Sequence, residues 1–184
     1  MLAEFLTSVQ AWDTAVLGWV QTHTSGPAMD WLMALVSDER MFLPLFVLLA
    51  AVLVYRGGWR GLFIVAGAVA LVTLTDQLSA SLLRPWIGRE RPDGTGPSMP
   101  SSHATNTFAQ AVYFGRLYPR LSAALLGTAA MVGFSRVYLN KHYPTDVLCG
   151  AVLGGVCGWG GYIVLRHLWQ RRTLAALNPG HRRK

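Results

Sequence analysis

Long apolar runs restrict the fold of this chain more than any other feature. "GLFIVAGAVALVTLTDQLSASLL" (61–83) and "VLCGAVLGGVCGWGGYIVLRHLW" (147–169) each exceed the ~20 residues a membrane span needs. "MFLPLFVLLAAVLVY" (41–55) reaches that length with either flank, and runs at about 103–117 and at 121–139 complete a set of five. No water reaches backbone groups in hydrocarbon, so each run must satisfy its N–H and C=O groups internally as a helix. The expectation is an all-α integral membrane bundle of five transmembrane helices with its core at 41–169. A composition of 52% hydrophobic and only 14% charged residues agrees with it. Cys149 and Cys157 are eight residues apart on one such helix, about 12 Å along its axis, too far for a disulfide and suited to packing.

Residues 1–38 read differently. Glu4, Asp13, His23 and Asp30 interrupt the apolar residues, and "TSGP" breaks the segment at 24–27. Two amphipathic helices at the membrane interface are expected, anchored by Trp12, Trp19 and Trp31, with a sixth span as the alternative. No charged n-region with a cleavage motif opens the chain, so a removable signal peptide is not expected. Alternation across five spans places Arg56, Arg60, Arg116, Arg120, Arg166, Arg171, Arg172, Arg182, Arg183 and Lys184 on one side, with no acid. The positive-inside rule makes that side, with the basic tail 170–184, cytoplasmic. The net charge of +7 therefore reports orientation in a bilayer and argues against nucleic acid as a partner.

Against that background, the polar residues of the other side need an explanation. Arg84, Arg89 and Arg91 fall within eight residues on a face that basic side chains usually avoid. Headgroup contact accounts for such arginines when the loop is taken alone. Arg136 sits inside an apolar run, where a charge requires a partner or a bound anion, and Asp76 reads as a buried ion-pair partner. His142 and Asp146 flank Pro144, which suits a first helical turn, and a carboxylate beside an imidazole fixes its tautomer and raises its basicity. In "MPSSHATNTFAQ" (99–110), Ser101 or Ser102 caps the helix that follows, and the free N–H groups of its first turn face any anion there. Two histidines, one carboxylate and several arginines reaching one membrane face are the parts of phosphoryl transfer: nucleophile, acid, and cations for the phosphoryl oxygens.

These stretches resemble the motifs of the type 2 phosphatidic acid phosphatases, the membrane branch of a superfamily that also holds the vanadium haloperoxidases. The family pattern K-x6-R-P reads here "RPWIGRERP", with Arg84 and Arg91–Pro92 in register. P-S-G-H reads "PSSH" (100–103), and S-R-x5-H-x3-D reads "SRVYLNKHYPTD", with Ser135, Arg136, His142 and Asp146 matched. Two positions depart from the pattern: Arg84 stands for lysine and Ser102 for glycine. The resemblance implies that His142 attacks phosphorus and becomes a phosphohistidine, that Asp146 orients it, and that His103 protonates the leaving oxygen. It implies Arg84, Arg91, Ser101, Ser102 and Arg136 as phosphate ligands, and no metal or other cofactor.

Such a site at the outer mouth of a bundle suits a lipid phosphate or diphosphate entering from the bilayer. Among lipids cleaved by small members of the family, undecaprenyl diphosphate is expected first, then phosphatidylglycerophosphate, phosphatidate or lipid A 1-phosphate. The multi-pass location expected is the bacterial inner membrane, with the site facing the periplasm. A lipid carrier or flippase is the non-enzymatic alternative, though it has no use for a His–Asp pair beside a second histidine. A lipid phosphotransferase is the enzymatic one.

Overall fold

The computed structural model describes residues 1–177, so the tail residues 178–184 lie outside what is described. In chain order the helices are α1 (Leu2–His23), α2 (Pro27–Ser37), α3 (Glu39–Gly57) and α4 (Trp59–Asp76), a wide π turn (Gln77–Leu83), then α5 (Arg84–Ile87). After the 88–101 loop come α6 (Ser102–Leu117), a short 3-10 turn (Pro119–Leu121), α7 (Ser122–Tyr138) and α8 (Pro144–Leu177). The described residues contain no strand, and the protein is an all-α membrane helix bundle.

Four helical stretches are long and apolar enough to cross a bilayer: Arg40–Gly57, Trp59–Ile87, Pro119–Tyr138 and Pro144–Gln170. The run expected at 103–117 is not among them. Its helix, α6, has 16 residues, about 24 Å of rise, and carries Thr105, Asn106, Thr107 and Gln110. It occupies the centre of the bundle instead of facing lipid, so its polar groups have protein partners. Thr75 Oγ1 donates to Asn106 Oδ1 (2.7 Å), Gln110 Nε2 to the Ala68 carbonyl (2.9 Å), and Tyr113 Oη to the Ile64 carbonyl (3.1 Å). Around them Ile64, Leu71, Ala109, Tyr113 and Leu165 form one apolar core, while α3 turns Leu43, Phe46, Val47 and Leu48 outward as a lipid-facing surface.

The glycine register of α8 explains how α6 fits. A Cβ on Gly150 would lie 2.6 Å from the Ser101 carbonyl oxygen, on Gly154 2.2 Å from that of Thr105, and on Gly158 2.3 Å from that of Ala109. Four-residue spacing thus forms a groove that takes the α6 backbone itself, the intramolecular role such stripes serve in membranes. The thiols of Cys149 and Cys157 on the same helix are free.

Helices α1 and α2 are amphipathic, as the sequence suggests, with Trp12, Trp19 and Trp31 exposed. α1 is not apolar enough to be a span. Their inner faces dock on the bundle: Leu17, Val20 and Met33 join Val137 and Tyr138 in a second core, and the Tyr138 hydroxyl donates to Asp30 Oδ1. This docking brings α1 against the loop that carries the sequence motifs.

Candidate active site

Each motif is held at a helix end, where backbone groups are left over for other partners. The wide turn after α4 delivers Arg84 to the start of α5, which Gly88 closes in a left-handed conformation (φ 66°). The loop then folds back on itself. Ser98 N donates to the Arg89 carbonyl (2.7 Å), Arg91 N to the Gly96 carbonyl (3.0 Å), and Arg91 Nε to the Pro97 carbonyl (3.1 Å). Arg91 Nη1 and Nη2 make no hydrogen bond among the described residues. Lys141 Nζ anchors the loop to the α7–α8 turn through Asp93 Oδ2 (2.8 Å). That ammonium, with Thr95, holds the Asp93 carboxyl well below the usual carboxylate range.

Ser101 is the N-cap of α6, with its side chain accepting from Ala104 N at 3.5 Å. Its backbone N–H donates to the Asp146 carbonyl (3.0 Å), which ties the α6 cap to the first turn of α8. Ser102 does something a glycine cannot. Its Oγ accepts from Arg84 Nη2 (2.5 Å) and from Ser79 Oγ of the π turn (2.9 Å). The two departures from the family pattern are therefore bonded to each other. Arg84 Nε, by contrast, is buried without a hydrogen-bond partner.

On the third side, Asn140 adopts a left-handed conformation (φ 58°) that an Asn tolerates, and the chain turns sharply so that His142 N donates to the Arg136 carbonyl (3.2 Å). Arg136 reaches α2, where Nη1 donates to Ser37 Oγ. His142 is 1% exposed, and its Nδ1 lies 3.7 Å from Asp146 Oδ2. That is ion-pair range, longer than a hydrogen bond, because Asp146 is already engaged. Oδ2 accepts from Tyr143 N (2.8 Å) and Oδ1 from Arg89 Nη1 (2.9 Å). Burial pushes the His142 imidazole below its ordinary value; Asp146 opposes that shift, and the Arg91 and Arg136 charges add to it.

The structure thus brings the motif residues together at one end of the bundle. His103 lies within electrostatic reach of Arg136, His142, Arg84 and Arg91. Asp76 makes no ion pair among the described residues, contrary to the expectation for it, and acts on Arg84 only at longer range. Among the described residues no three His, Cys, Asp or Glu side chains converge as metal ligands. Sequence reasoning missed Asp13 and Ser79, and it gave Arg89 no place of its own among the site residues. Asp13 is fully buried, and its place among the apolar residues of α1 was the available signal.

The profile of the PAP2 superfamily matches residues 58–170. The chain belongs to that superfamily. A "Lipid A 4'-phosphatase" of Bacteroides thetaiotaomicron is 30% identical over 97% of this chain and 87% of its own length. A "Phosphatidylglycerophosphatase B" of Bacillus subtilis is 36% identical over 61% of this chain and 62% of its own length. In three dimensions, the crystal structure of a transmembrane PAP2 type phosphatidylglycerolphosphate phosphatase from Bacillus subtilis superposes with a TM-score of 0.69. That match has 25% identity and covers 89% of this chain and 87% of the other. As a PAP2 protein with such relatives, this chain is a membrane phosphatase, a hydrolase of phosphoric esters.

Proposed function

We propose that this PAP2 protein hydrolyses a lipid phosphate through a phosphohistidine at His142. What supports the reading is the convergence of His142, His103, Asp146 and the arginines at the capped end of α6. The His142 Nδ1 edge is the one turned to Asp146, which leaves Nε2 to attack phosphorus. As the N–P bond forms, the P–O bond to the lipid breaks, and His103 gives its proton to the departing oxygen. Water then attacks the phosphohistidine, His103 takes the proton from that water, and the N–P bond breaks to release inorganic phosphate. Arg84, Arg91 and Arg136, the Ser101 cap and the first N–H groups of α6 neutralise the phosphoryl oxygens. Cationic side chains do the work here, so no step calls for a metal.

The relative matched over nearly the whole chain is a lipid A 4'-phosphatase, so a phosphorylated saccharolipid ranks first as substrate. Undecaprenyl diphosphate, expected first from the sequence, follows with phosphatidylglycerophosphate and phosphatidate. The bilayer would be a bacterial inner membrane, with the motif end outside and the C-terminus in the cytoplasm, as the placement of basic residues favours. The test is phosphate release in detergent from lipid A, phosphatidylglycerophosphate, phosphatidate and undecaprenyl diphosphate, with EDTA and H142A as controls. EDTA-resistant release from one lipid, abolished in H142A, is expected. Transfer of the phosphoryl group to an added acceptor lipid, without free phosphate, would make the protein a phosphotransferase, and neither release nor transfer from any of the four would contradict the reading.

A further inference from the structure

Arg89 falls at an unspecified position of the first motif, yet its side chain makes four hydrogen bonds. Nη1 donates to Asp146 Oδ1 (2.9 Å) and to Thr145 Oγ1 (2.7 Å), and Nη2 donates to Asp13 Oδ2 (2.6 Å) and to Gln10 Oε1 (2.6 Å). Its guanidinium also stacks 4.2 Å over the Tyr143 ring. Asp13, fully buried on α1, accepts twice more from the same neighbourhood: from Thr145 N on Oδ1 (2.9 Å) and from Thr145 Oγ1 on Oδ2. One half-buried arginine is thus shared by two buried carboxylates, Asp13 and Asp146, at the first turn of α8. A buried acid on a peripheral helix is costly unless it is paired, and these bonds account for it.

We propose that Asp13 and Arg89 are positioning residues of the catalytic centre. Arg89 fixes the Asp146 carboxylate that faces His142, and Asp13 fixes Arg89 and offsets its charge. The first helix of the chain is then part of the site, and the proposal rests on His142 being the nucleophile. The charged and titratable groups around His142 come from several elements: Arg91 from the 88–101 loop, His103 from α6, Arg136 from α7 and Asp146 from α8, with Arg89 and then Asp13 of α1 lying behind Asp146. Removing one member of the Asp13–Arg89 pair therefore changes the net charge felt by His142 in a predictable direction.

D13N leaves Arg89 uncompensated beside Asp146, so the His142 imidazolium is disfavoured and the acidic limb of kcat/KM moves to lower pH. R89Q removes the competing cation, Asp146 supports the imidazolium more strongly, and the limb moves to higher pH. At an effective dielectric of ~20, one charge a few ångströms beyond Asp146 shifts a limb by about 1 pH unit. In D13N/R89Q the two effects cancel and the limb returns close to wild type. Each single variant also loses about tenfold in kcat with KM nearly unchanged, because orientation and not substrate contact is lost. The assay is phosphate release by the full-length protein from the panel lipid it cleaves fastest, on samples with wild-type elution in detergent. Opposite limb shifts that cancel in the double variant support the proposal; equal losses with fixed limbs overturn it. R89K keeps the charge but not the two-armed fork, and serves if D13N does not fold: a fixed limb with lower kcat is expected, and wild-type kcat overturns the proposal. Turnover surviving in H142A overturns the nucleophile assignment and this inference with it. Inactive H142A with unmoved limbs overturns the positioning role alone.

Discussion

Gly154→Ala isolates the packing on which the site depends. The added Cβ would sit 2.2 Å from the Thr105 carbonyl oxygen and 3.0 Å from Ala109 N, and contacts under 3.0 Å are essentially never seen. Both are backbone atoms of α6, so no side chain can swing aside; α6 must move by at least 0.8 Å at that turn. Overpacking of this kind costs about 1–3 kcal/mol. The functional loss should be larger, because Ser101, Ser102 and His103 sit at the α6 end, only one turn before Thr105. A displacement of about 1 Å in a catalytic constellation costs on the order of 100-fold in rate. Gly155→Ala is the matched control on the same turn, since nothing lies within 4 Å of its added Cβ. The assay is lipid-phosphate turnover together with thermal unfolding in detergent. Loss in G154A with wild-type behaviour in G155A is expected. Equal behaviour of the two variants would refute the account of α6 seated in the glycine groove of α8.

Other outcomes follow from single contacts. Because Arg84 and Ser102 are hydrogen-bonded, R84K and S102G should each lower kcat several-fold, while R84K/S102G, which restores the family pair, should recover more than additivity allows; a double-mutant cycle with no coupling would deny the link. His142 must be neutral to attack, and burial lowers its pKa, so the acidic limb of kcat/KM should fall below the ordinary histidine value of ~6.5. Rate is then retained at mildly acidic pH and lost only as pH drops through the lowered value. A limb at or above 6.5, measured by phosphate release across pH, would contradict that sign. K141A should leave chemistry intact and raise KM modestly by freeing the 88–101 loop from Asp93, a partly exposed ion pair worth little stability (roughly 0–1 kcal/mol).

The motif register was legible because local geometry encodes it: Pro144 opens α8 and puts Asp146 in its first turn, and Ser101 caps α6 as its hydroxyl suggests. The glycine spacing of α8 likewise predicts close packing. α6, expected as a span, is shorter than the four stretches long and apolar enough to cross a bilayer, and hydropathy does not report that its Asn106 and Gln110 are matched by Thr75 and the Ala68 carbonyl from another helix. The role of Arg89 was not legible for the same reason. Its partners are Asp13, 76 positions away, and Asp146, 57 positions away, and no local pattern reports pairings at that range. The Arg84–Ser102 bond also joins distant segments, so two departures that look independent in sequence become one contact in space.

Trapping the covalent intermediate tests the central claim most directly. Rapid quenching of the protein with lipid A carrying a radiolabelled phosphate should yield an acid-labile, base-stable phosphoprotein, with the label on the peptide that contains His142. H142A should show neither label nor turnover, and H103A should accumulate less product from the same substrate. Label found on another residue, or turnover persisting in H142A, would contradict the account.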